Sequence, residues 1–450
     1  MAAVIGKQAI VVGAGIGGLA AAGAAADHFE HVIILERDSL PSSLEPRAGT
    51  PQAQHTHALL GGGKHALESL FPGFTAALMG AGAVCYRAGL DLLAELPGFD
   101  PFPQRDVGWD AYSMSRPLIE KVVRQQLQKR QNIEIRESSR VEKILTSDTN
   151  GGTVSGVRVA DRDAAGETLR ADLVIDSSSR GALSIAALHT TDHPVPAKTT
   201  VGIDMAYATT VFSIPDDAPH NWKGVYTFPD APQGKRGALM LPIEGNRWIL
   251  SVGGAHGDAP PGDLKGFLAF AEQLRTQTIY NAIKNAKPAS EVVRFAFPES
   301  VWRRFERLVS FPRGLLPFGD VICRFNPIYG QGMSVAAKEA CVLRDLFDAR
   351  ATERDPLEDL AQTFFAEIQD VLDTPWATAA VADFVYPETR GDRPADLEST
   401  LKFGQAMVAL AARDADVHKL RLEVMNLLKP RSVYRDPDFV ARVRGVMAEA

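Results

Sequence analysis

Gln8-Ala9-Ile10-Val11-Val12-Gly13-Ala14-Gly15-Ile16-Gly17-Gly18-Leu19 decides the fold of this chain. Gln8 to Val12 reads as a buried strand, Gly13, Gly15 and Gly18 form G-x-G-x-x-G, and Leu19 to Ala26 continues as an alanine-rich helix. One glycine permits the tight turn, the next lets the backbone approach a pyrophosphate, and the third lets the helix pack on the strand. The helix start offers free N–H groups and a positive dipole end to phosphates. A second strand, His31-Val32-Ile33-Ile34-Leu35, runs into Glu36, about 20 residues on, where an acid can hydrogen-bond a ribose hydroxyl. Residues 9–26 carry no charge, so a signal-peptide core or a membrane span competes with this reading. The five glycines there and the acid closing the next strand argue against both. The fingerprint alone does not separate NAD from FAD, and a glycine turn without a ligand is the bland alternative.

Outward from that unit, the 450 residues are 45% hydrophobic with a net charge of −7, enough for a large core and two or three domains. The acidic balance and the lack of a basic cluster argue against nucleic acid as a partner. Cys85, Cys323 and Cys341 are widely spaced and form neither a zinc pattern nor a disulfide framework, which points to a reducing cytoplasm. No other segment is long and apolar enough to span a membrane, so no integral membrane segment is expected.

A loop rich in Pro, Ser and Gly, 38–54, precedes an expected helix over 56–70. A second helix is expected over 115–130, with Ser115 as its N-cap and Leu118, Val122 and Leu127 as its apolar face. Strand patterns follow at 132–136, 140–146, 154–160 and 171–176, and then a β-rich stretch over 200–255. An α/β pattern returns at 291–320, and beyond 333 the chain is almost all helix pattern. A second glycine-rich turn lies there: Leu316-Pro317-Phe318-Gly319-Asp320, then Asn326-Pro327-Ile328-Tyr329-Gly330-Gln331-Gly332-Met333.

Gly319-Asp320 after an apolar run, with Pro327-x-x-Gly330-x-Gly332 opening a helix, resembles the single-component FAD-dependent monooxygenases of the aromatic hydroxylase fold, over nearly the whole chain. A narrower resemblance is to bacterial squalene-epoxidase-like and polyether epoxidases, carried by residues 46–60 (PRAGTPQAQHTHALL), 325–333 and 383–389 (DFVYPET). The fold implied is α/β: a Rossmann-like FAD-binding domain (1–75, 105–188 and 300–350) interrupted by a β-sheet substrate domain (76–104 and 189–299), with a C-terminal helical region (351–450). The resemblance implies FAD held by Gly13, Gly15, Ile16, Gly17, Gly18, Glu36, Arg37, Arg47, Arg116, Val141, Asp176, Gly319, Asp320 and residues of the second turn. Asp320 would accept from a ribityl hydroxyl, Arg47 and Arg116 would meet the diphosphate or ribose, and the Val141 backbone would meet adenine. The helix beginning at Gly330, with Gln331, Gly332 and Met333 in its first turn and Pro327 before it, would aim N–H groups at the flavin N1–C2=O edge, which carries negative charge on reduction. One departure stands out: where the subgroup has Asp-Ala-Thr/Ser-Gly-Arg-Gly, this chain has Asp176-Ser177-Ser178-Ser179-Arg180-Gly181, which leaves nicotinamide handling less defined than FAD binding.

The implied reaction uses NAD(P)H as a transient co-substrate to reduce FAD, then O2 through a flavin C4a-hydroperoxide, to epoxidise or hydroxylate a hydrophobic small molecule of the kind met in secondary metabolism. No dedicated NADPH domain is legible. The apolar residues Met205, Tyr207, Val211, Phe212, Tyr226, Phe228, Leu239 and Leu241 of the β-rich stretch, without an acid/base pair there, lean toward an alkene or polycyclic substrate; ordinary sheet core is the competing reading. His55 and His57 invite a metal reading, but no further ligand sits at metal spacing, so no metal is expected. A structural role in the loop, or a place beside the flavin, divides the remaining readings, and His55, His57, Pro327 and Gly330 stand as the catalytic candidates. Two rivals share the fold: a halogenase, whose W-x-W-x-I-P stretch Asn246-Arg247-Trp248-Ile249-Leu250-Ser251 does not match, and a reductase of isoprenoid-like double bonds. Oligomeric state is not legible.

Overall fold

Ala9 to Val12 are apolar on both faces of their strand because both faces are covered. In the computed structural model, which describes residues 4–147, 152–160 and 166–449, the strand Gly6–Val12 sits at the centre of a five-stranded sheet. Its neighbours are Leu173–Asp176 and Phe29–Leu35; Leu315–Pro317 and Ile133–Arg136 complete the two edges, and every pairing is parallel. The helix Ile16–Ala25 packs on this sheet through small side chains and is nearly all buried. The carboxyl ends of four strands therefore open together onto Gly13, Glu36, Ser177 and Phe318, the place where open α/β sheets bind ligands.

The β-rich stretch builds a seven-stranded sheet in the order Cys323–Arg324, Val293–Arg303, Lys198–Ser213, Arg247–Gly254, Arg236–Ile243, Gly224–Thr227 and Leu92–Glu95. Two helices that the periodicity did not suggest, Leu264–Glu272 and Thr278–Ile283, cover one face of it with Phe267, Phe270, Ile279 and Ile283. Side chains alternate along a strand, so Phe212 goes to this helix-covered face whereas Met205, Tyr207 and Val211 face the other way. Val293–Arg303 runs through residue 300, and Cys323–Arg324 also joins this sheet, so strand membership crosses the division expected there.

Three local expectations change. Residues 56–60 are not helical; the helix is Gly61–Leu70, because Thr56 donates its N–H to Ser251 Oγ (3.1 Å) and is held in extended chain against the sheet. The helix Arg116–Leu127 does begin at Ser115, but Ser115 makes no side-chain cap, and its N–H goes instead to Glu244 Oε2 (3.0 Å). The strand Glu167–Arg170 completes a small three-stranded sheet with Val141–Ser147 and Thr153–Val159.

The C-terminal helices divide between two partners. Leu360–Glu367 and Gln369–Thr378, the latter with Pro375 inside it, pack on the core of the parallel sheet through Phe364, Phe365 and Leu372. Leu397–Arg413, Ala415–Met425 and Pro437–Glu449 form a separate apolar cluster that takes in Leu96, Phe102 and the half-buried Phe228.

Candidate functional site

The first turn is shaped by contacts rather than by flexibility. A methyl group on Gly18 would lie 1.9 Å from the Gly13 carbonyl oxygen, and one on Gly13, whose φ is +100°, would lie 2.9 Å from the Ser177 carbonyl oxygen. Gly17 abuts Ser177 Oγ, Ala336 and Phe318. Gly15 differs: the nearest atom to its Cβ position is an Arg116 guanidinium nitrogen at 4.0 Å, so the middle glycine opens a space with a cation across it. That is the cradle a pyrophosphate needs.

Glu36 reaches back to this turn, accepting the Ala14 N–H at Oε2 (2.8 Å), and it also pairs with Arg47 (2.9 Å). Arg47 is held further by Asp38 (3.1 Å) and Glu120 (3.5 Å), and Glu120 in turn receives Arg116 Nε (3.0 Å). Burial works against the Arg47 charge, yet Glu120, Glu36 and Asp38 outweigh it and hold its pKa above the ordinary value. Glu120 is a member of this group that the sequence reading missed; its spacing of four from Arg116 on one helix was the available signal. Arg37 is exposed and reaches the network only through a 3.9 Å pair with Asp38. Ser139 N–H bonds the Glu36 carbonyl (2.7 Å), which brings the strand beginning at Val141 alongside; Val141 itself pairs with Val159.

The loop with the two histidines runs between this network and the seven-stranded sheet. His57 Nδ1 contacts the His55 carbonyl (2.9 Å) and must donate there, which leaves Nε2 as the acceptor toward Arg116 NH1 (3.3 Å). Burial first, and then Arg116, push the His57 pKa down to about 3, so it is a neutral brace for Arg116. His55 is 2% exposed, and burial lowers its pKa to about 4. Its Nδ1 meets Thr209 Oγ1 (2.7 Å), Thr209 meets Ser251 Oγ (2.6 Å), and Ser251 donates to Thr56 Oγ1 (2.9 Å). Ser251 has one proton and gives it to Thr56, so Thr209 donates to Ser251 and His55 donates from Nδ1. The ring stands edge-on to Tyr207 (4.7 Å) and Phe295 (5.6 Å), with Nε2 unpaired. No group of three or more possible metal ligands occurs among the described residues.

Gly319 and Asp320 follow the edge strand of the parallel sheet. Gly319 N–H donates to Glu339 Oε2 (2.9 Å) from the helix Gly332–Arg350. Glu339 is fully buried, its Oε1 has no partner, and desolvation raises its pKa to about 8. Nothing in the helical spacing singled out this acid. The Asp320 carboxylate has no hydrogen-bond donor among the described residues; desolvation pushes its pKa up against the pull of Arg116, Arg324 and Arg303. It lies 3.7 Å from the Cβ position of Gly332, at the start of the long helix. At that start Gln331 is buried with Oε1 unpaired, and Gly330, at φ +66°, packs on Ala58 of the histidine loop. Pro327 opens the single turn Pro327–Tyr329, and Met333 is buried in the main core. The two glycine-rich turns thus meet, with Arg116 near both.

Asp176 ends the strand that pairs with Gly6–Val12, opposite Val12. It is fully buried and accepts from Ser178 N–H (3.0 Å), Ser184 N–H (3.0 Å) and Ser184 Oγ (2.5 Å), so its oxygens shape the 177–184 turn. In that turn Ser179 has φ +73°, where the subgroup pattern carries glycine. Ser179→Gly is therefore expected to be neutral to about 1 kcal/mol stabilising in thermal unfolding; a larger loss would mean that the serine side chain is required.

An unpaired carboxylate, a cation facing an open glycine turn and unpaired buried polar atoms fit a dinucleotide bound across both turns. The comparisons agree with that chemistry. The sequence model described as FAD dependent oxidoreductase matches residues 8–214. This chain belongs to the FAD-dependent oxidoreductase family. Among its relatives is Protein Rv3254 of Mycobacterium tuberculosis (strain ATCC 25618 / H37Rv), 32% identical over 359 residues that span 76% of this chain and 73% of that protein. The structure resembles flavin-dependent brominase Bmp2 (TM-score 0.68, 12% identity, 99% and 98% of the two chains). It also resembles PqsL, a probable FAD-dependent monooxygenase from Pseudomonas aeruginosa (TM-score 0.61, 17% identity, 85% and 98%). At such identities the likeness is one of fold. No helix among the described residues is long and apolar enough to cross a membrane.

Proposed function

We propose that the protein is an FAD-dependent monooxygenase that uses NAD(P)H and O2 to oxygenate a hydrophobic organic substrate. The observation that carries this reading is a buried apolar cluster on the face of the seven-stranded sheet turned away from the two covering helices: Ile203, Met205, Tyr207, Phe297 and Tyr386, joined by Ile328. Ile328 lies in the turn that opens the long helix, so this apolar cluster adjoins the residues assigned to the reactive flavin edge. Bound FAD supplies hydride acceptance and O2 activation. The chain's residues do the rest. Gly15 would let backbone approach the diphosphate while Gly13 and Gly18 hold the turn and the helix in place, Arg116 would face it, and Asp320 would accept from the ribityl chain. The N–H groups at Gly332 and Met333 would hold the N1–C2=O edge, and the apolar cluster would exclude water. His55, neutral and protonated on Nδ1, presents an unprotonated nitrogen to that cluster.

The halogenase reading has less support: Trp248 is buried in the helix-covered face beside Trp222, with centroids 5.7 Å apart, on the other side of the sheet from that cluster. The test is a panel of alkenes and phenols given with NAD(P)H and labelled O2. One labelled oxygen atom per product, with substrate-stimulated O2 uptake, is the expected result. Addition of two hydrogens would indicate the reductase, and halide incorporation the halogenase.

Asp320→Ala gives a sharper check on the cofactor. Because the carboxylate has no protein partner among the described residues, the apoprotein is expected to unfold within about 0.5 kcal/mol of wild type. Loss of a hydrogen bond to a charged acceptor is expected to weaken FAD binding by about 1.5–3 kcal/mol, roughly ten- to a hundredfold. Fluorescence titration of the apoprotein with FAD measures it, and an unchanged affinity would remove Asp320 from the site.

A further inference from the structure

The C-terminal helical region touches the second glycine turn through three side-chain hydrogen bonds. Gln331 Nε2 donates to Thr378 Oγ1 (2.9 Å) at the end of the helix Gln369–Thr378. Tyr329 OH donates to Asp383 Oδ1 (2.7 Å), and Asn326 Nδ2 donates to Asp383 Oδ2 (3.1 Å). Asp383 is 2% exposed and Asn326 is fully buried. Both carboxylate oxygens of Asp383 are therefore committed to the segment that carries Pro327 and Gly330. The two donors bracket that segment, Asn326 before its single turn and Tyr329 at its end.

The orientation of Asn326 is determined by its other contacts. Its Oδ1 accepts the Ile328 N–H (3.3 Å), so its amide nitrogen must face Asp383, and its own N–H is held by Ser300 Oγ (3.1 Å). On the tail side, the Asp383 carbonyl accepts from Thr389 Oγ1 (2.7 Å), and the next carbonyl, that of Phe384, accepts from Arg393 NH1 (2.8 Å). The acid is thus anchored in the tail at one end and spends its charge on the turn at the other. A surface pair would add little, but a carboxylate at this depth with two donors is a stiff link, because breaking either bond strands a buried polar group.

We propose that Asp383 is a positioning residue of the cofactor site: through Asn326 and Tyr329 it sets the 326–330 turn, and with it the start of the long helix at Gly332, in the conformation that receives the flavin. The proposal rests on the FAD reading of the two turns. It makes residues 378–383 part of the FAD site, although none of them is assigned a contact with the cofactor.

The hydrogen-bond polarity supplies the test. In Asp383→Asn the amide can turn its oxygen to the Asn326 NH2 and its own NH2 to the Tyr329 hydroxyl oxygen, so that variant keeps both links, whereas Asp383→Leu removes both. In Asn326→Asp, two carboxylates face each other. The exchange Asn326→Asp with Asp383→Asn restores every donor–acceptor pair. The carboxylate now at position 326 accepts from the Ile328 N–H and from the amide now at position 383, and the oxygen of that amide accepts from Tyr329. FAD affinity of each apoprotein is read by fluorescence titration, beside the rise in melting temperature that FAD produces. Asn326→Asp and Asp383→Leu are each expected to bind FAD about tenfold or more weakly, and the exchange to return within about threefold of wild type. If a single variant folds poorly, the FAD-induced rise for the exchange against wild type still decides. Wild-type affinity in Asp383→Leu, or an exchange that binds no better than Asn326→Asp, would overturn the proposal. The assay is blind to turnover, so a protein that binds FAD but transfers no oxygen would refute the monooxygenase reading and leave this one standing.

Discussion

Gly18→Ala is expected to yield no folded, FAD-binding protein, whereas Gly15→Ala, three residues earlier, is expected to fold and lose FAD affinity. The two positions belong to one motif but meet different surroundings. The Gly18 methyl would sit 1.9 Å from a backbone oxygen that belongs to the same turn, so the strand end and helix start would have to separate. Backbone cannot yield there without breaking the central strand's hold on the helix, and the cost is expected to exceed about 4 kcal/mol, the range that marks serious overpacking and strain. Gly15 has extended backbone (φ −72°, ψ 173°) that alanine adopts freely, and its methyl would meet nothing closer than Arg116 at 4.0 Å. The methyl would instead occupy the diphosphate's space, and roughly a tenfold loss in FAD affinity is expected. Circular dichroism and FAD titration on both variants check the contrast. A folded Gly18→Ala protein, or a Gly15→Ala protein with wild-type affinity, would contradict it.

Glu339→Gln is expected to flatten the dependence of stability on pH. Folded Glu339 keeps its proton up to about pH 8, because burial disfavours the carboxylate, whereas an unfolded glutamate releases it near 4.5. Between those values the native chain holds one more proton than the unfolded chain, so stability falls as pH rises through the window and levels off above it. The full penalty is on the order of a few kcal/mol. Glutamine copies the protonated acid: its oxygen accepts the Gly319 N–H and its amide nitrogen stands where the unpaired oxygen stood. Urea unfolding at pH 5.5 and 8.5 is expected to show wild type losing a few kcal/mol more than Glu339→Gln over that interval. His55 and His57, both depressed by burial, titrate alike in the two proteins and cancel in the comparison. Equal slopes would mean that Glu339 is ionised in the folded protein.

Much of the site is local, and what is local was legible. The strand, turn and helix of Gly6–Ala25, the acid at Glu36, and the Gly319-Asp320 turn each follow from a run of neighbouring residues whose backbone needs are specific. The helix over 56–60 failed because a side-chain bond from a distant strand outcompeted local helix preference. Phe212 was grouped with Tyr207, although their odd separation along one strand already sends them to opposite faces. The two helices over that strand's far face lack a sharp start signal except at Asp263, whose side chain accepts the Gly266 N–H (2.9 Å).

By itself the sequence determined the strand, glycine turn and helix at its start, because glycine placement and strand patterning are set by steric limits within a few residues, while the pairing of the two glycine-rich segments was implied by a family resemblance. Only the tertiary structure decided that Asp176 serves its own turn, that His57 braces Arg116, that Glu339 holds Gly319, and that the tail's Asp383 grips the second turn. Those four facts depend on burial and on which donor meets which acceptor across the fold, and a buried polar group's role is defined by its partners rather than by its neighbours in sequence.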